Sequence, residues 1–124
     1  MLGLPGDFTP PSRFVRAVAF VNTMIPAKDA ADAVNAASVM LNNFDTPKGL
    51  VREGGAEDFH LGYTQWSVIA DTRHKVYYYW TMYDRRMRSV DFSKLDFNAK
   101  KASTFPLDRV RAEDIEDRSA DFPH

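Results

Sequence analysis

Two arginines one helical turn apart are the residues of this sequence with the clearest capacity for chemistry. Arg13 and Arg16 lie at the start of a run whose remaining residues are nearly all apolar. From residue 14 onward its sequence is FVRAVAFVNT. A guanidinium stays charged at physiological pH and costs free energy to bury without a partner. Each arginine must therefore be paired, be solvated at a cavity or face a partner. The residue types alone leave a structural ion pair and a functional arginine both open.

The histidines and serines of the sequence do not form the pattern of a known catalytic or metal site. His60, His74 and His124 fall in a loop, in a hairpin turn and at the last position, so no two share a helix face as a zinc site would need. The sequence has no cysteine and therefore no thiol nucleophile, thiolate metal site or disulfide of its own. No serine has the G-x-S-x-G setting of a serine hydrolase. We predict no metal and no cofactor.

Composition excludes two classes of partner. The 16 basic residues balance 17 acidic ones among 124, so there is no electrostatic footprint for nucleic acid or an anionic membrane. No apolar run reaches the roughly 18 residues that a membrane-spanning helix needs. The first seven residues lack the regions of a secretory signal. The sequence predicts a globular protein that binds neither nucleic acid nor membrane.

Two helices must position the arginines. Residues 3–11, GLPGDFTPP, predict a loop, and the pattern that follows predicts a helix over residues 13–23 with Ser12 as its N-cap. This helix is too apolar to have a broad solvated face, so we expect it to be covered nearly all round. A second helix is predicted over residues 27–44, after Pro26 and with acidic residues in its first turns.

The second half of the chain has the pattern of strands. Aromatic and β-branched residues predict strands over 62–70 and 75–83, joined as a hairpin, and a shorter third strand over 88–92. Residues 45–49 and 53–58 are predicted as loops. Apolar and aromatic side chains occupy both alternating faces of the second strand, which indicates a sheet covered on both sides.

These elements predict an α+β domain that is part of a larger fold. Two helices and three strands need more covering surface than a chain of this size offers. We assign residues 1–97 to the domain. The charged residues 98–124 are predicted to form a solvated tail or a peripheral arm.

Four runs of residues carry a resemblance to a known family. In order along the chain they are GLPGDFTPPSRFVRA (3–17), NNFDTPKG (42–49), YTQWSVIAD (63–71) and YYYWTMYD (77–84). They resemble motifs of the choloylglycine hydrolase and penicillin V acylase family over about residues 2–97. The first run is a long match to the family signature G-L-P-G-D-x-[ST]-x-x-S-R-F-V-R-A. One departure is Met82, an insertion that can shift the register of its strand.

The resemblance implies a fold and a chemistry. Enzymes of this family are amidases of the N-terminal-nucleophile class with a four-layer αββα fold. Their processed N-terminal cysteine supplies both the attacking thiolate and the α-amino base, and the acyl group passes through a thioester. The resemblance places the active-site arginine of the family on Arg13, where a cation would favour thiolate and stabilise developing charge. The cysteine and the other catalytic groups belong to N-terminal sequence that is absent here.

The resemblance therefore implies the C-terminal portion of a cysteine amidohydrolase acting on N-acyl amides such as conjugated bile salts or penicillin V. Its partners would be the missing N-terminal part and a small-molecule amide, and the complete enzyme is expected to be a homo-oligomer. The chain alone is predicted to be inactive. The alternative is a noncatalytic, truncated binding or assembly module of the same fold. A standalone ligand-binding domain is disfavoured because the first helix would expose too much apolar surface.

Overall fold

The computed structural model describes residues 3–55, 58–108 and 118–121. The chain divides into two compact units, Met1–Thr64 and Gln65–His124. The first holds two helices and a two-stranded antiparallel sheet, and the second holds a three-stranded antiparallel sheet. This confirms the predicted α+β class with helices followed by antiparallel strands. No helix within the described ranges is long and apolar enough to cross a membrane.

Helix α1 spans Pro10–Thr23 and begins three residues before the predicted start. Pro10 and Pro11 occupy its first turn, where a fixed φ suits the helix and a missing N–H costs nothing. The N-cap is Thr9, whose side chain makes no capping hydrogen bond. The prediction of Ser12 as N-cap was wrong, because the two prolines extend the helix across it.

Helix α2 spans Ala30–Asn42 and is shorter at both ends than predicted. Its N-cap is Asp29, whose carboxylate accepts a hydrogen bond of 2.8 Å from the backbone N–H of Asp32. This bond satisfies one of the free donors of the first turn and fixes where the helix begins. The two helices contact each other through Phe20 of α1 and Phe44, which follows α2, with ring centroids 6.0 Å apart in an edge-to-face arrangement.

An apolar stripe runs along the side of α1 that α2 leaves uncovered. Phe14, Val18 and Val21 follow the helical spacing of one face, and Phe14 and Val21 are 70% and 65% exposed. The sequence predicts that this helix is covered nearly all round. In the part of the chain that the structure describes, the stripe is exposed, so this expectation is not met there.

We expect the isolated chain to self-associate through this apolar stripe. Val21→Glu should shift the population toward monomer in sedimentation velocity, because a charge on the stripe opposes its burial. Ala31→Glu adds the same charge to an exposed position of α2 and should leave association unchanged. A monodisperse monomer formed by the unsubstituted chain would contradict this expectation.

A short hairpin follows the helices. Strand β1 (Val51–Gly54) pairs with β2 (Phe59–Gly62), and Arg52 lies over the ring of Phe59 at 5.3 Å. The predicted loop over residues 53–58 is therefore wrong at its start, where residues 53 and 54 belong to β1. The glycines that suggested a loop instead serve the turn, since Gly54 has a φ of 120° that other residues rarely adopt.

The second unit is built on the predicted hairpin and third strand. Strands β3 (Trp66–Asp71), β4 (Val76–Thr81) and β5 (Arg88–Asp91) form an antiparallel sheet in the order β3-β4-β5. Residue 62, predicted to start the first of them, instead ends β2. Every β3-β4 pair keeps one register from Trp66 opposite Thr81 to Asp71 opposite Val76. Met82 lies beyond this ladder and shifts nothing within it.

The apolar core lies on β4. Tyr79 and Trp80 are 7% and 4% exposed and point to opposite faces, which agrees with the prediction that both faces of this strand are covered. The neighbouring strand β3 departs from that prediction, since Trp66, Val68 and Ala70 on one of its faces are exposed. In the described chain, burial on both faces is thus confined to the central strand β4, since Trp66 is exposed although it pairs with the buried Thr81.

Polar side chains fix the segment after the sheet. Arg88 binds the carboxylates of Asp84 at 2.7 Å and Asp108 at 3.1 Å, and the buried Thr81 hydroxyl donates to Asp108 at 2.7 Å. These bonds anchor residue 108 to the end of β4. Within the predicted charged tail, residues 109–117 and 122–124 lie outside the described residues, and the described part includes the single turn Ser119–Asp121.

Candidate active site

The first turns of α1 border an open cavity of about 420 Å³. The cavity is lined by Pro10, Arg13, Phe14, Ala17, Leu41 and Phe44. Arg13 is the one charged residue of this set, and it is exposed. The structure thus places a solvated guanidinium at the edge of an otherwise apolar concavity. Such an arrangement can bind an apolar acyl group and present a cation to an anionic or developing negative atom.

Arg16 has a different environment although it is only one turn away. It is 8% exposed, and its Nη1 donates to the backbone carbonyl oxygens of Pro5 and Asp7, each at 2.7 Å. The guanidinium also lies 5.5 Å from the ring centroid of Phe44. These contacts favour a structural role for Arg16, and its observed partners are carbonyl groups rather than the carboxylate of an ion pair.

A carboxylate completes the loop before α1. Asp7 accepts hydrogen bonds from the backbone N–H of Thr9 at 2.9 Å, from the Thr9 hydroxyl, and from the Ser12 hydroxyl at 2.6 Å. These bonds, first among them the one from Ser12, lower the pKa of Asp7 from 3.8 to about 2. Asp7 is therefore ionised at neutral and mildly acidic pH.

The lowered pKa of Asp7 predicts a change of stability in acid. A carboxylate whose folded pKa is depressed stabilises the fold above its unfolded pKa, and this contribution is lost as the pH falls toward about 2. Asp7→Asn should therefore lose less stability than the unsubstituted chain between pH 4 and pH 2, as measured by urea unfolding. Equal pH dependence for both would show that the three hydrogen bonds to Asp7 do not form in solution.

The two described histidines belong to different elements of the chain. His60 is an exposed residue of β2, and His124 falls outside the described residues. His74 lies in the β3-β4 turn, with its Nδ1 at 2.7 Å from Asp71, and its hydrogen bonds lower the pKa of that carboxyl. Within the described ranges, no three histidine, aspartate or glutamate side chains are grouped to hold a metal ion.

The residues that sequence reasoning missed at this site are Asp7, Thr9 and Ser12 acting together. A signal was present, since an aspartate, a threonine and a serine at spacings of two and three before a helix are typical of local side-chain to backbone bonding. We interpreted the serine as a cap because the prolines were assigned to the loop. Their place inside the helix turns the serine toward the loop instead.

Comparison with known proteins agrees with this architecture. The sequence model of the linear amide C-N hydrolases of the choloylglycine hydrolase family matches residues 1–105. A bile salt hydrolase/transferase from Lactiplantibacillus plantarum is 31% identical over 106 residues, covering 86% of this chain and 32% of that protein. A bile salt hydrolase/transferase from Clostridium perfringens is 28% identical over 111 residues, covering 89% and 32%.

A solved structure shows the same arrangement of elements. A mutant of the conjugated bile acid hydrolase from Clostridium perfringens superposes with a TM-score of 0.65 at 26% identity, over 86% of this chain and 32% of that protein. The chain thus spans about a third of the length of the relatives it matches. By its sequence over 105 residues and by its fold, the chain belongs to the choloylglycine hydrolase family of linear amide C-N hydrolases.

Proposed function

We propose that this chain is the C-terminal portion of a cysteine amidohydrolase that cleaves N-acyl amide bonds, with Arg13 as a catalytic residue. The observation that carries the proposal is the contrast between the two arginines. Arg16 is held by two carbonyl groups, whereas Arg13 is exposed at an apolar cavity. A cation that the fold does not use for its own stability is available for substrate or nucleophile.

The finer fold proposal is the four-layer αββα arrangement. In it, α1 and α2 belong to a helical layer and the antiparallel strands of residues 66–91 belong to a sheet layer. The exposed apolar stripe of α1 and the exposed face of β3 support this assignment, because further layers would cover both. Residues 1–97 remain our proposal for the domain, and residues 98–124 for a charged C-terminal tail or arm.

In the complete enzyme the rest of the polypeptide supplies the nucleophile. The α-amino group of its N-terminal cysteine takes the thiol proton, the thiolate attacks the amide carbonyl, and negative charge develops on the carbonyl oxygen. Collapse breaks the C–N bond, and the amine leaves with the proton that the α-amino group had taken. Water then hydrolyses the thioester, which releases the carboxylic acid and restores the thiol. Arg13 lowers the pKa of the thiol or stabilises the oxyanion, and the apolar cavity receives part of the acyl group. Conjugated bile salts and penicillin V type amides have acyl groups of this apolar kind.

A chimera tests this proposal directly. In it, this chain replaces the matched third of the Lactiplantibacillus plantarum bile salt hydrolase/transferase, which supplies the N-terminal cysteine. We expect amine release from glycine- or taurine-conjugated cholate or from phenoxymethylpenicillin, and none from this chain alone. Alanine in place of the N-terminal cysteine should abolish release. A chimera that unfolds cooperatively but hydrolyses none of these amides would overturn the proposal.

A second candidate function is a noncatalytic binding or assembly module of the same fold. The absence of cysteine from all 124 residues favours it, since the family's reaction needs a thiolate. The two functions differ in one observable property. The module would bind an acyl amide, or the rest of the enzyme, without turnover in any combination with an N-terminal part.

A further inference from the structure

The start of α1 is bonded in an unusual way, because the Thr9 hydroxyl bonds to the preceding loop and not to the helix backbone. In most helices the N-cap side chain accepts a bond from the second or third backbone N–H. Here Pro10 and Pro11 remove the first two N–H donors of the helix, and Thr9 makes no side-chain cap bond. The Thr9 hydroxyl instead donates to the carboxylate of Asp7, to which the Thr9 N–H also donates at 2.9 Å.

The same carboxylate reaches the helix itself. Ser12, 9% exposed, donates to the second carboxylate oxygen of Asp7 at 2.6 Å. Ser12 directly precedes Arg13, whose backbone N–H donates to the Thr9 carbonyl at 3.0 Å. Asp7 therefore bonds to Thr9, which precedes α1, and to Ser12 in its first turn. The negative charge of Asp7 is favoured beside the N-terminus of this helix.

Arg16 holds the loop from its other side. Its Nη1 donates to the carbonyl oxygens of Pro5 and Asp7 at 2.7 Å each, so Asp7 is fixed through both its side chain and its backbone. We call the set Asp7, Thr9, Ser12 and Arg16 the loop clamp. Arg13 forms none of these side-chain bonds, yet it lies between two residues that do. Its backbone N–H donates to the carbonyl of Thr9, which is itself a member of the clamp.

We propose that Asp7 is a positioning residue for Arg13, and that the loop clamp exists to hold the Arg13 guanidinium at the cavity. This proposal rests on the function proposed above. A displacement of a catalytic cation by about 1 Å can cost up to about a hundredfold in rate. Asp7 thus acts on acyl transfer through Arg13 and touches no substrate.

A double-mutant cycle in the chimera tests the proposal. Asp7→Ala should lower kcat by about tenfold to a hundredfold with KM within about twofold, because the cation acts mainly in the transition state. In the Arg13→Ala background, Asp7→Ala should lower kcat by less than about twofold further. Asp7→Asn keeps one oxygen for Thr9 and loses the acceptor for Ser12. Its kcat should lie between those of the unsubstituted chimera and of Asp7→Ala. Equal losses of kcat in both backgrounds would overturn the proposal.

Asp29→Ala is the matched control, because it removes the aspartate at the start of α2 in the same unit. It should lower the melting temperature yet change kcat by the same small factor in both backgrounds. Hydrogen exchange on this chain tests the loop clamp without catalysis. Asp7→Ala should accelerate exchange at the Thr9 and Arg13 amides by about tenfold. An inactive chimera with accelerated exchange would refute the proposed function only, whereas unchanged exchange would refute the clamp.

Discussion

Arg13→Ala in the chimera is expected to lower kcat by about 10²- to 10³-fold, which is the usual loss when one group that stabilises an oxyanion is removed. Arg13 is exposed and forms none of the loop-clamp bonds, so the free energy of unfolding should change by no more than about 0.5 kcal/mol. Steady-state kinetics with a conjugated bile salt and urea unfolding of the same samples measure both quantities.

Arg13→Lys and the pH dependence separate charge from geometry. Lysine keeps the charge but not the planar fork, so kcat should fall between the values for arginine and alanine. Loss of the cation raises the pKa of a neighbouring thiol, so the acidic limb of the Arg13→Ala rate profile should move to higher pH. If Arg13→Ala lowers stability as much as activity, or leaves kcat unchanged, the catalytic role is refuted.

Arg16→Ala is expected to have the opposite balance and to lower the free energy of unfolding by about 2 to 4 kcal/mol. The change removes two hydrogen bonds donated by one charged nitrogen, which together contribute about 2 to 4 kcal/mol, and leaves the carbonyl groups of Pro5 and Asp7 without this partner. Packing against Phe44 is lost as well. Urea unfolding at neutral pH measures this loss in the free energy of unfolding.

Arg52→Ala is the matched control for Arg16→Ala. Arg52 also lies over an aromatic ring, at 5.3 Å from the centroid of Phe59, but it is exposed. Its removal should cost no more than about 1 kcal/mol. Similar losses of stability for the two arginines would mean that the carbonyl bonds of Arg16 contribute nothing, and the division of roles between Arg13 and Arg16 would be wrong.

The order of the two helices and of β3, β4 and β5 could be predicted from the sequence, because local patterns determine it. Aromatic and β-branched residues predicted the hairpin of β3 and β4. A nearly continuous apolar run after a loop predicted the first helix, and the spacing of apolar residues predicted the second. The ends were less readable. Pro10 and Pro11 are equally suited to a loop and to a first helical turn, so α1 began earlier than expected. The β1-β2 hairpin was missed because its strands have four residues each and Gly54 lies within one of them.

The sequence identified the charged residues of the site but not the groups to which they bond. Spacing identified Arg13 and Arg16 as a pair that had to be explained, and only the resemblance to the family chose Arg13. Arg16 bonds to carbonyl groups nine and eleven residues earlier in the chain, and backbone acceptors leave no mark in a sequence. The role of Asp7 depends on where α1 begins, so an error of three residues in one boundary concealed it.

The central claim is that this chain is the C-terminal portion of a cysteine amidohydrolase. Sequencing the DNA that precedes the codon of residue 1 tests it most directly. The account predicts an in-frame or neighbouring segment of about twice this length, since the chain spans about a third of its relatives, and that segment should encode a processed N-terminal cysteine. Upstream DNA without such a cysteine would contradict the account and leave the noncatalytic module as the function of this fold.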